Sequence, residues 1–242
     1  MSVTNVLLLL GGGLFAGVIN TMAGGGSMLT VPLLVMAGVP GNIANGSNRV
    51  GILASTAAAA TAFRRLGVEG LSRVTPVLLP VVAGALLGSF SVSLLSDELF
   101  EKIFGILMVP LLLLALRPPR AALGSWSLPA TVLVFFGIGL YGGAFQVGIG
   151  LLLVLALSRS GMELVLANNV KVLVAMAINV TALPVFILNG KIAWGPALVL
   201  AAGFAVGGAL GARFTVTGGE KVIRPVLALA VLALSGRLLG LY

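Results

Sequence analysis

The chain has 242 residues, 59% hydrophobic and only 8% charged, with a mean hydropathy of +1.20 and a formal net charge of +8. Soluble domains carry about 25% charged residues, so the composition excludes a water-soluble fold, and in so apolar a chain the positive balance reports loop placement rather than nucleic-acid binding. Cysteine and histidine are absent, which excludes disulfides, thiolate chemistry and imidazole-held metals.

Apolar stretches near the length of about 20 residues that a membrane helix needs run through 3–23, 74–95, 128–157, 172–188, 194–214 and 222–241. The first has no basic leader and its apolar character continues past any cleavage point, so it reads as a membrane helix rather than a signal peptide. None shows the dyad alternation of an outer-membrane strand. The expected fold is all-α: a polytopic helical membrane protein with eight to ten hydrophobic segments.

The first stretch ends in NTMAGGGSMLTV, residues 20–31, where Gly24, Gly25 and Gly26 interrupt an apolar run. A solvated linker is excluded by the Leu, Val, Met and Ala on both sides. The triplet instead predicts a helix end, a turn and a new helix start at Ser27. GIG at 148–150 predicts the same object in the second half.

Glycines recur about 124 residues apart, Gly13 with Gly137, Gly24 with Gly148 and Gly26 with Gly150. With a slipping register, Arg49 in ANGSNRV then faces Lys171 in ANNVKV, and Glu101-Lys102 faces Glu220-Lys221. The reading is an internal duplication: a first repeat at 1–117, an inter-repeat loop at 118–127 and a second repeat at 128–242. Each repeat holds a glycine-broken hairpin and three further segments, 43–63, 74–95 and 103–116 in the first and 164–188, 194–214 and 222–241 in the second.

A hairpin followed by three crossings gives each repeat an odd parity, which inverts the second repeat. One face then collects Arg64, Arg65, Arg73, Arg117, Arg120, Arg159, Arg213, Lys221 and Arg224, against Lys102, Lys191 and Arg237 on the other. That bias marks the cytoplasmic side and places both termini outside the cytoplasm. Trp126 and Trp194 read as interfacial anchors.

Irregular backbone survives in the hydrocarbon layer only where protein or a water-filled cavity covers it, and paired breaks in two repeats point to a transporter's binding site. A helix start offers free N–H groups and about half a positive charge, a site for an anion. Small-residue spacings such as Gly13-x-x-x-Gly17 and Gly84-x-x-x-Gly88 read instead as close helix packing.

Arg49 and Lys171 are the charged residues that fall well inside proposed spans. Placing such a base at the bilayer centre costs on the order of 3 kcal/mol, which makes it a functional candidate. All six acids lie in loops or near segment ends, so the expected compensating charge is the substrate. Around the two bases cluster Asn20, Thr21, Ser27, Asn45, Ser47 and Asn48 in the first half, and Gln146, Asn168, Asn169 and Asn179 in the second.

GLFAGVINTMAGGGSMLTVPLL, ANGSNRVG and ANNVKVLVAMAINVTALPVFILNGKIAW resemble the sulfite exporter TauE/SafE family of membrane permeases over nearly the whole chain. The resemblance implies passage of sulfur-containing anions such as sulfite, taurine and other sulfonates across a plasma membrane of bacterial type. It maps the family's glycine motif onto Gly17, Gly24, Gly25 and Gly26, and its asparagine-base motif onto Asn48 and Arg49. The second copy departs from the pattern: it lacks a proline equivalent to Pro32 and carries Gln146.

The combined expectation is an inner-membrane, multi-pass transporter for a small sulfur oxyanion, sulfite or an organosulfonate such as taurine or sulfoacetate, working by alternating access. An anion channel, or a permease for another small anion, is the alternative. The expected substrate-binding residues are Arg49, Lys171, Asn48, Asn20, Thr21, Gly24, Gly25, Gly26, Ser27, Gln146, Gly148, Gly150, Asn168 and Asn169. The spans hold no paired acids and no Cys or His, so neither an enzyme nor a cofactor is expected, and the partners are the substrate anion and the lipid bilayer.

Overall fold

The structure is a computed structural model that describes residues 1–115, 127–159 and 162–218. Segment 222–241, Trp126, Glu220, the bases Arg117, Arg120, Lys221, Arg224 and Arg237, and the side chain of Arg159 lie outside the described residues. Among the described residues all regular structure is helical: α1 (Val3–Ala23), α2 (Ser27–Met36), α3 (Gly41–Arg65), α4 (Leu71–Ser93), α5 (Asp97–Ala115), α6 (Leu128–Ala144), α7 (Ile149–Arg159), α8 (Leu164–Leu188) and α9 (Trp194–Thr217).

Hydropathy places the start of the fifth segment at 103, yet α5 begins at Asp97, because Asp97 and Glu98 occupy the first turn, where acids complement the helix dipole. Four helices, α1, α4, α8 and α9, are long and apolar enough to cross a membrane. α3 has equal length but a polar first half, in which Asn42, Asn45, Ser47, Asn48 and Arg49 are all wholly buried. It is a helix for a protein interior, not for lipid.

The glycine breaks are hairpin turns. α1 ends at Gly24, whose φ of 79° is the left-handed conformation of a helix C-terminus, and α2 folds back so that Asn5 Nδ2 donates to the Ala37 carbonyl at 3.3 Å. In the second half the turn runs through Gln146 and Gly148, at φ 63° and 64°, and Tyr141 Oη pins it by donating to the Val147 carbonyl at 2.8 Å.

Helix directions follow from the close approaches. α1 and α9 run parallel, with Gly13 against Leu200 and Phe204, Gly17 against Gly208 and Gly211 against Thr21. α3 runs with them, Gly46 meeting Lys191 and Gly208 meeting Ser55. α8 opposes α3, since Phe63 packs with Val172 and Gly46 meets Phe186. α4 runs with α8, from Gly70 on Asn169 to Asn189 Nδ2 donating to Ser93 Oγ at 3.3 Å. α6 runs with α4, Gly139 lying on Val81 and Gly143 on Ala85. α6 is therefore antiparallel to α1.

The pairings also correspond: α1 on α9 matches α6 on α4, α3 on α9 matches α8 on α4, and α2 on α3 matches α7 on α8. Glycine lines the α1/α9 and α4/α6 seams, where a Cβ on Gly17, Gly84 or Gly88 would strike a facing carbonyl. Lipid tails give apolar side chains no reason to associate, so such seams hold by close contact of small residues. Arg64, Arg65, Arg73 and Arg213 gather where α3 and α9 end and α4 begins, while Asp97, Glu98, Glu101, Lys102 and Lys191 lie at the opposite end of the bundle.

Candidate functional site

α3 carries Arg49 on its ninth residue, about 12 Å from its start at a 1.5 Å rise, and α8 carries Lys171 on its eighth, entering from the other face. Both side chains are buried, at 0% and 2% exposure. Arg49 Nη1 donates to the Gly142 carbonyl at 3.2 Å and to Gln146 Oε1 at 3.3 Å; Nη2 donates to the carbonyls of Gly143 at 2.5 Å and Ala144 at 3.0 Å. Those carbonyls are the C-terminal end of α6. Lys171 Nζ donates to the carbonyls of Asn20 at 3.2 Å and Thr21 at 2.5 Å, the end of α1, and to Asn168 Oδ1 at 2.7 Å.

Each half thus supplies the base that caps the broken helix of the other. A helix C-terminus leaves four carbonyls without intrahelical partners, and in hydrocarbon no water reaches them. The expectation that only a substrate charge compensates these bases is corrected here, because carbonyl dipoles already face both of them. The compensation is local to each base, not net. Two bases, two C-termini at about −0.5 each and the two helix starts of α2 and α7 at about +0.5 each leave a residual charge of about +2.

The expected residues fall into two groups and a seam. Around Arg49, Asn48 Oδ1 accepts from Thr30 Oγ1 at 2.6 Å and Asn45 Nδ2 donates to Ala144 at 2.9 Å. The Phe186 ring covers the guanidinium, with Cζ 4.4 Å from the ring centroid. Around Lys171 stand Asn168 and the backbone of Asn20 and Thr21. Between them the hairpins touch: a Cβ on Gly24 would strike the backbone of Gly150, and one on Gly26 would strike the Ala16 carbonyl and the Asn20 side chain. Gly148 faces Met28 and Leu111, and Ser27 is buried at the start of α2.

Asn169, Ser47 and Asn179 stand apart. Asn169 turns to Gly70 and lines a cavity of about 470 Å³ with Arg64 and Thr61. Ser47 Oγ accepts from Ala193 N at 2.9 Å, fastening the α8–α9 turn to α3. Asn179 Nδ2 donates to Ala175 in its own helix at 2.7 Å.

Thr30, Tyr141, Phe63 and Phe186 escaped the sequence reading. The phenylalanines carried a signal, since each is the twenty-third residue of its helix, α3 or α8. Thr30 and Tyr141 carried none, because their role depends on where the hairpins fold.

Among the described residues the buried donors Asn48 Nδ2, Arg49 Nε and Gln146 Nε2 lack a hydrogen-bond partner, as does the Ser55 hydroxyl, which lies apart against Gly208. Gln146 also holds the one positive φ seen outside glycine among the described residues, the conformation that glycine takes at the end of α1. No cluster of metal-binding side chains occurs among the described residues.

The chain matches the model of the family described as "Sulfite exporter TauE/SafE" over residues 9–238. It is 29% identical to the "Probable membrane transporter protein ORF9" of Sinorhizobium sp, covering 93% of this chain and 88% of that protein. It is 28% identical to a "Probable membrane transporter protein" of Haemophilus influenzae, over 90% and 88% of the two chains, and 29% identical to the "Probable membrane transporter protein YfcA" of Escherichia coli K12, over 93% and 86%. No solved structure matches. The multi-pass helical bundle fits what these comparisons imply, a transporter of small molecules rather than an enzyme, and this chain belongs to the sulfite exporter TauE/SafE family of membrane transporters.

Proposed function

We propose that the chain carries a small sulfur-containing oxyanion, sulfite or an organosulfonate, across the inner membrane by alternating access. The observation that carries this reading is the set of unpartnered buried donors Asn48 Nδ2, Arg49 Nε and Gln146 Nε2. A buried donor left without an acceptor costs about 1–3 kcal/mol. An oxyanion supplies the acceptors that such donors lack and meets the residual positive potential. Asn45 Oδ1, one turn away on α3, is an unpartnered acceptor, a fit for the hydroxyl or ammonium hydrogen that many such anions carry. The family description supplies the sulfur chemistry.

In this reading residues 1–117 and 128–242 are inverted repeats of one unit, and the arginine-rich face is cytoplasmic, with both termini on the other side. The two phenylalanines are the gates. Phe186 closes the Arg49 group from the Lys191 face, and Phe63, packed on Val172, closes the Lys171 group from the Arg64 face. Both rings are buried, which supports an occluded, mid-cycle state of a carrier.

The test is counterflow of labelled sulfite and sulfoacetate in proteoliposomes. A carrier gives saturable uptake accelerated by unlabelled anion on the far side, and Arg49→Ala abolishes it while the variant remains folded. Normal transport by Arg49→Ala overturns the role of this base. Flux that neither saturates nor shows counterflow makes the protein an anion channel.

A further inference from the structure

The outer face of the bundle carries a feature that transport does not use. α3 and α9 run parallel, and the two helices leave between them a groove of about 760 Å³. Its floor is lined by Ala57, Ala58 and Ala62 on α3 and by Ala209 on α9. Arg65, in the last turn of α3, and Arg213, near the end of α9, both line it and close its charged end. From Ala57 to Arg65 the groove is about 12 Å long at a 1.5 Å rise.

Among the described residues the charges there are unbalanced. The one ion pair among the described residues joins Lys102 to Glu98, at the opposite end of the bundle. Among the described residues no acid lines the groove. A comparable groove of about 420 Å³ between α6 and α7 has a wholly apolar lining, so an apolar channel alone is an ordinary lipid-facing surface here. The arginine pair makes the α3/α9 groove different.

We propose that this groove binds an anionic phospholipid, one acyl chain lying along the alanines and the phosphodiester held between the guanidinium groups of Arg65 and Arg213. Guanidinium forks match phosphate oxygens in bidentate geometry, and basic pockets between membrane helices select anionic headgroups. A zwitterionic lipid presents the same phosphate with a compensating ammonium, so the preference is for net negative headgroups such as phosphatidylglycerol. Because the groove includes α9, which packs along α1 and α3, an occupant braces the seam against which the first hairpin rests.

The experiment uses the full chain in detergent, with phosphatidylglycerol, phosphatidylcholine or inorganic phosphate added, and reads bound lipid by native mass spectrometry and unfolding temperature by thermal shift. Phosphatidylglycerol is expected to bind and raise the unfolding temperature, while phosphatidylcholine and phosphate do neither. The double variant Arg65→Gln/Arg213→Gln is expected to weaken phosphatidylglycerol binding about tenfold or more, a change of about 1.4 kcal/mol. Arg73→Gln, on the same face but outside the groove, is expected to leave it unchanged.

Ala58→Trp fills the floor without touching charge and is expected to weaken binding as well. A photoreactive label on Ala58→Cys should capture a lipid. Equal binding of the two lipids, binding unaffected by the double variant, or capture of a second copy or of the chain's own residues overturns the proposal.

Discussion

Gly24 and Gly150 meet backbone to backbone at the point where the two hairpins cross. Gly24 meets two demands for glycine at once: it ends α1 at φ 79° and lies on the start of α7. The contact fixes the positions of α1 and α6 relative to each other, and with them the carbonyl ends that Lys171 and Arg49 cap.

Gly24→Ala is expected to destabilise by about 3 kcal/mol, combining about 1–2 for a left-handed non-glycine residue with the strain of overpacking. Gly38→Ala is its control, because Gly38 has a φ of 90° but no heavy atom within 4 Å of the position its methyl would take, so about 1–2 kcal/mol is expected there. Thermal unfolding in one detergent checks the difference; equal shifts would mean that the hairpin contact adds nothing.

The gates make opposite forecasts for opposite faces. The chain contains no cysteine, so single thiols report without background. With a thiol at Asn45, Phe186→Ala is expected to admit a membrane-impermeant reagent from the Lys191 side. With a thiol at Asn168, Phe63→Ala is expected to admit it from the Arg64 side. Labelling from the same side in both variants removes the phenylalanines from the gating scheme.

Gln146→Glu separates binding from folding. The side chain keeps its length and its bond to Arg49, which becomes charge-assisted, so the unfolding temperature is expected to hold or rise. The lone donor Nε2 becomes an oxygen and the site gains a negative charge. Anion-induced stabilisation and counterflow are expected to fall about tenfold or more, that is by at least about 1.4 kcal/mol. Undiminished anion binding by this variant excludes Gln146 from the site.

Much of the site was legible because a buried charge is conspicuous in an apolar sequence. Arg49, Lys171 and the glycine breaks were found from composition and spacing, and each base lies against the helix end of one break. Their partners were not found, because the groups they bond are carbonyls of Gly142, Gly143, Ala144, Asn20 and Thr21. A carbonyl is present at every residue, so no sequence signal marks the ones that a helix end leaves free. Asn168 and Asn169 are neighbours of one type, yet the first accepts from Lys171 and the second turns to the Gly70 loop.

The sequence by itself determined that the chain lives in a membrane, that its backbone breaks at two glycine-rich points and that two bases are buried, since each follows from the incompatibility of polar groups with hydrocarbon. Only the tertiary structure decided that each base crosses to the other half and caps its broken helix, leaving Asn48, Arg49 and Gln146 with donors to spare. That choice depends on how parallel and antiparallel helices pack along their glycine seams. Packing of that kind is a property of surfaces brought together in space, which no local pattern encodes.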